Sequence, residues 1–65
     1  MVVSRVKKAM EERGFTIRAM VEKTKMSDTT ILRARREILQ CRMSTLEIIA
    51  GCLKCQIKEL FEEKI

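Results

Sequence analysis

The 65-residue chain has no histidine, no proline, no tryptophan and no tyrosine, and only 3% of its residues are aromatic. Each absence excludes something. Without histidine, the commonest acid/base group and metal ligand at neutral pH is missing, so catalytic readings start weak and no metal or cofactor is expected. The lack of proline and the scarcity of aromatics, in a composition 46% hydrophobic and 35% charged, favour an all-helical globular fold over a sheet. No apolar run approaches the roughly 20 residues that span a bilayer, and the opening "MVVSRVKK" lacks the apolar stretch of a secretory leader. A soluble, cytoplasmic protein with no membrane partner is the expectation. The three cysteines, Cys41, Cys52 and Cys55, are odd in number and stand at apolar positions. That suits reduced thiols acting as small core hydrophobes better than a disulfide framework. Cys52 and Cys55 have the C-x-x-C spacing of zinc and redox sites, but no second pair and no histidine accompanies them, so packing is the favoured reading.

Charge is abundant and unevenly placed. The net charge is +5, with ten Lys/Arg against four Asp/Glu in residues 1–36 and four against five in residues 37–65. A local excess of this kind points to a polyanion, nucleic acid or an acidic membrane surface, with a solvated basic face as the bland alternative. A chain this short makes one domain, residues 1–65, and buries only about 60% of the surface its unfolded form exposes, so no deep catalytic cleft is expected.

Periodicity supplies the elements. Val3, Val6, Ala9 and Met10 recur at spacings of three and four between Val3 and Arg13, which predicts an amphipathic first helix ended by Gly14. Thr16 is suited to cap a second helix running to Thr24, with Arg18 and Glu22 paired across one turn. Lys25 and Met26 then connect to Ser27, a second good cap, which opens a helix carrying Ile31 and Ala34 and ending in Arg33, Arg35 and Arg36. The segment "EILQCRM" reads as either a further helical turn or a loop with Ile38 and Leu39 partly exposed. Ser44 or Thr45 is expected to cap a fourth helix with a stripe of Leu46, Ile49, Ala50 and Leu53. "CLKCQ" marks a weak break, a fifth helix from about Gln56 places Ile57, Leu60 and Phe61 on one face, and "EEKI" is a charged tail.

Two short capped helices joined by a tight turn, the second of them basic, give the geometry by which a helix lies in the major groove of DNA while its predecessor braces on the backbone. "FTIRAMVEKTKMSDTTILRARR" followed by "STLEIIAGCLKCQIKELF" resembles the phage Cro/repressor-type helix-turn-helix domain, often called the xenobiotic-response-element family, over nearly the whole chain. The resemblance implies a compact five-helix bundle of lambda-repressor-like DNA-binding type, with helices 2 and 3 as the helix-turn-helix. It implies base contacts from Asp28, Thr29, Leu32 and Arg33. It implies phosphate contacts from Ile17, Arg18, Ser27, Arg35, Arg36 and Arg42. The family usually has Gln where Ile17 stands, Ala where Val21 stands, Gly where Lys25 stands, and Leu or Ile where Ala34 stands. A volume swap would accommodate Val21 and Ala34. Lys25 would have to adopt a conformation that glycine takes more easily.

The function implied is a sequence-specific transcriptional regulator, a repressor of phage or bacterial type that occupies operator DNA as a homodimer and carries out no chemistry on a small-molecule substrate. Arg33 is suited to pair with guanine. Asp28 could accept from cytosine, yet an acid at a helix start is stabilised by the macrodipole whether or not DNA is present. Ile38, Leu39, Ile57, Phe61 and Ile65 are the candidates for the dimer surface. The rival reading is a protein-interaction module on the same fold, an antitoxin-like or antirepressor partner, using an apolar patch around Ile17, Ile38 and Leu39.

Overall fold

The computed structural model describes all of residues 1–65. Its elements in order are strand β1 (Val2–Ser4), helices α1 (Val6–Glu12), α2 (Ile17–Thr24) and α3 (Asp28–Arg36), a 3-10 turn at Ile38–Gln40, helix α4 (Met43–Leu53), a second 3-10 turn at Ile57–Leu60, and strand β2 (Phe61–Glu63). The helical fold and its central pair α2–α3 agree with the sequence reading, but the five-helix bundle needs correction. There are four α-helices, the expected fifth is a single 3-10 turn, and the chain ends form a small antiparallel sheet.

That sheet explains most of the differences. Val2, Val3 and Ser4 pair with Glu63, Glu62 and Phe61 in that order, so Val3 belongs to a strand and α1 starts only at Val6. β-branched valines suit this extended conformation. The expected tail Glu62–Glu63 is the partner strand. Phe61 is extended, with φ −147° and ψ 161°, and exposed rather than packed on the face of Leu60. The Arg5 N–H donates to the Leu60 carbonyl at 2.7 Å and joins the last turn to the sheet.

Three helix ends use left-handed residues. Gly14, at φ +72°, follows α1 and donates its N–H to the Glu11 carbonyl, while Phe15 donates to Met10 at 2.8 Å. This doubled closure is the usual reason for a glycine at a helix end. Lys25 (φ 63°) and Lys54 (φ 57°) occupy the same conformation after α2 and α4. They close those helices through the Lys25 N–H to Val21 and the Lys54 and Cys55 N–H groups to Gly51 and Ala50. Lys25 thus takes the strained conformation expected at that position, at a cost of about 1 kcal/mol relative to glycine. The break near "CLKCQ" falls at Lys54 and leaves Cys55 beyond the helix.

The fourth helix begins at Met43, earlier than its hydroxyl residues suggested. Arg42 is the cap position, extended at ψ 151° and without a side-chain cap bond; its carbonyl accepts the first helical bond, from Leu46 at 3.1 Å. Ser44 and Thr45 therefore lie inside the first turn. Leu46, Ile49, Ala50 and Leu53 are all buried, as their stripe predicted, and they join Val6, Met10, Met20, Ile31 and Leu60 in a twelve-residue core. The ambiguous segment 37–43 resolves into a 3-10 turn that buries Ile38, 4% exposed, and leaves Leu39 77% exposed. Ile38 is therefore core, neither partly exposed nor available to a partner. Ala34 is fully buried and Val21 half-buried.

Candidate nucleic-acid interface

Local chemistry fixes the α2–α3 pair. Thr16 Oγ1 accepts from the Ala19 N–H at 3.1 Å and Ser27 Oγ from the Thr30 N–H at 3.3 Å, so each helix satisfies one of its orphan donors with its own cap. Between them, Thr24 Oγ1 donates to the Met20 carbonyl at 2.6 Å and accepts from the Met26 N–H at 3.3 Å. One hydroxyl thereby ties the end of α2 to the turn. Asp28 Oδ1 accepts from the Thr29 N–H at 2.7 Å, which gives the Asp28 carboxylate a structural task at the positive end of the helix dipole.

Ile31 and Ala34 point α3 into the core, and Asp28, Thr29, Leu32, Arg33 and Arg36 form its exposed side. With its side chains an α-helix is about 10–12 Å across, which matches the roughly 12 Å width of the major groove. Three shallow depressions follow this surface. Ile17, Arg18, Val21, Ser27 and Asp28 line the first. Thr29, Leu32, Arg33, Arg36 and Glu37 line the second. Arg33 also borders the third, with Thr30, Gln40, Cys41, Arg42 and Thr45.

The structure thus gathers nearly all the expected site residues along one continuous surface. Arg35 is the exception: half-buried, it flanks a depression beside β1 and the first 3-10 turn, together with Arg36, Val3 and Leu39. Ile17 offers no polar side chain, but it and Arg18 carry the first backbone N–H groups of α2, which no intrahelical carbonyl reaches.

Three ion pairs exist in the chain: Arg5–Glu62 at 3.8 Å, Arg13–Glu12 at 3.9 Å and Arg18–Glu22 at 3.9 Å. The last is the pair its spacing predicted, and at such exposure it is worth a few tenths of a kcal/mol. None of them involves Arg33, Arg35, Arg36 or Arg42, so these four cations around the end of α3 form no ion pair, although Glu37 borders the same depression as Arg33 and Arg36. Burial raises the Cys41 thiol above its ordinary 9.0, against the opposing pull of Arg33 and with a smaller push from Glu37. The thiol therefore stays protonated beside those arginines at neutral pH.

Gln40 and Thr45, which share the third depression with Thr30, escaped the sequence reading of the site, because their neighbourhood depends on how 37–43 folds back on α3. Ser4 and Arg13 also escaped it. Ser4 Oγ donates to the Ala34 carbonyl at 2.6 Å and accepts from the Val6 N–H at 3.3 Å, holding the last turn of α3 to the start of α1. Arg13 Nε donates to the Leu53 carbonyl at 2.8 Å, placing a cation at the negative end of α4. Neither carried a local signal, because the sequence places both within the first helix expected between Val3 and Arg13, whereas α1 spans only Val6–Glu12.

Elsewhere the surface offers less. The depression lined by Arg5, Lys8, Glu12, Arg13, Lys58 and Glu59 mixes both signs of charge and includes no residue of α2 or α3. Cys52 Sγ lies 3.7 Å from Met20 Sδ, and nowhere do three or more Cys, Asp or Glu side chains converge as a metal site requires. No helix is long and apolar enough to cross a membrane. No curated protein matches the chain. The family model for the Cro/C1-type HTH DNA-binding domain matches residues 5–63, from the start of α1 to the end of β2, and the chain belongs to that family.

Proposed function

We propose that residues 1–65 form a single helix-turn-helix domain that acts as a transcriptional repressor of phage or bacterial type. It binds operator DNA in the cytoplasm, excludes polymerase by occupancy and carries out no chemistry. The observation that carries this reading is the set of Arg33, Arg35, Arg36 and Arg42 around one helix end, none of them paired with a carboxylate. Asp28, Thr29, Leu32 and Arg33 face the bases. Ser27, Arg36, Arg42, Arg18 and the N–H groups at the start of α2 hold phosphates, with Arg35 at the margin. One recognition helix covers too few base pairs to be selective, so a twofold homodimer reads half-sites about one helical turn apart. With Ile38 buried and Ile57 packed against the core, Leu39, Phe61 and Ile65 remain as its exposed apolar candidates. The protein-interaction alternative loses its patch for the same reason, since Ile17 and Leu39 line separate depressions.

Selection from a random duplex pool, followed by titration of the selected site against salt, tests the proposal. Affinity should fall with salt at a slope of about −0.9 per neutralised phosphate. A folded sample that binds no duplex even at low salt would refute it.

A further inference from the structure

We infer that Leu32 reads the C5-methyl group of one thymine in each half-site; the inference rests on the DNA-binding reading and deepens it. Leu32 is 42% exposed and takes no part in the core or in the partly buried shell around it. A single exposed leucine needs no explanation on an ordinary surface, but the position of this one sets it apart. It stands one turn into α3, Asp28–Arg36, on the exposed side that continues from the N-terminal residues by which such a helix contacts base edges. Thr29 and Arg36 lie one turn away on either side of it, Arg33 is adjacent, and all four border the same depression.

Polar groups surrounding an apolar centre match the floor of the major groove in kind. Phosphates and guanine O6 and N7 suit the arginines, whereas the one apolar group presented there is the thymine methyl. A leucine at this point cannot satisfy a base donor or acceptor, so opposite any other base it would leave that polar group dry and unpaired. The Thr29 methyl, on the same exposed side, extends the apolar area. Specificity at this position is therefore for an A·T pair in one orientation, and it resides in the methyl group.

The test uses the site selected from a random duplex pool and variants in which each thymine in turn is replaced by deoxyuridine, which removes only the methyl. Wild-type protein should lose about four-fold in affinity at one thymine per half-site, the factor expected for one methyl-sized group kept from water. Leu32→Ala, an exposed change to the best helix former, should lose most of that discrimination. The inference is overturned if no thymine can be told from deoxyuridine, or if the discrimination persists undiminished in Leu32→Ala. Absence of any duplex binding would remove the DNA-binding reading and this inference together.

Discussion

The α2–α3 pair and α4 are held in different ways. Each helix of the pair opens on a side-chain hydroxyl that caps it, at Thr16 and Ser27, and most of the pair's surface is polar. Helix α4 has no side-chain cap; it begins at Arg42 and stays helical because Leu46, Ile49, Ala50 and Leu53 are buried along one side. Local hydrogen bonding sets where α2 and α3 start and stop, and tertiary packing sets α4. The division is useful for recognition. A helix whose ends are locally fixed can give its exposed side to the ligand without weakening the core beneath.

Truncating the packed helix should have the largest effect. Ile49 is fully buried, so Ile49→Ala should cost about 2–5 kcal/mol in a urea or thermal unfolding measurement, enough to unfold much of so small a domain. Next come the arginines. Arg33→Ala should relax base preference at one position per half-site by about 1–3 kcal/mol, whereas Arg42→Ala should weaken all duplexes alike and flatten the salt slope by about one. Because Arg42 caps α4 through its backbone alone, its loss should leave stability unchanged; a fall in melting temperature would show that α4 depends on local chemistry after all. If both changes act alike on DNA, the division into base and phosphate contacts is wrong.

Two hydroxyls probe the comparison directly. Ser27→Ala should cost about 1 kcal/mol of stability, and Ser44→Ala, inside the first turn of α4 and exposed, close to nothing. Equal losses would erase the distinction. The smallest effect expected is a gain. Gly51 lies in the interior of α4, and a Cβ there would meet nothing within 4 Å, so Gly51→Ala should stabilise by about 0.5–1 kcal/mol in the same unfolding assay. Lys54→Gly should add a similar increment, of about 1 kcal/mol, by relieving a left-handed lysine.

The same division governs what could be read in the sequence. Thr16, Ser27 and Gly14 act through bonds to residues three or four positions away, so the start and end of α2, the start of α3 and the end of α1 were all legible. The inward stripe of α4 was legible because periodicity is local. The start of α4 was not: Ser44 and Thr45 carried the local signal, and packing chose Met43. The sheet was equally hidden, since Val3 and Glu62 are extended only because they lie beside each other. Ile38 shows this most clearly. Its burial depends on the 3-10 turn folding against α3, which no spacing within "EILQCRM" could announce. At the site, the arginines were legible as a cluster, while Gln40 and Thr45 joined it only through that turn.

The strand pair also bears on the order of folding. Bringing Val2 to Glu63 closes a loop of nearly the whole chain, an entropic cost met before any contact between the strands repays it. The helices, built from contacts a few residues apart, carry no such cost. The strand pair is only three residues long on each side, and β2 is exposed, so native-state hydrogen exchange should find its amides less protected than those of the core helices. Ser4, at the end of β1, donates its hydroxyl to the Ala34 carbonyl. The final turn of α3, which carries Arg35 and Arg36, is thus tied through Ser4 to the joined ends of the chain.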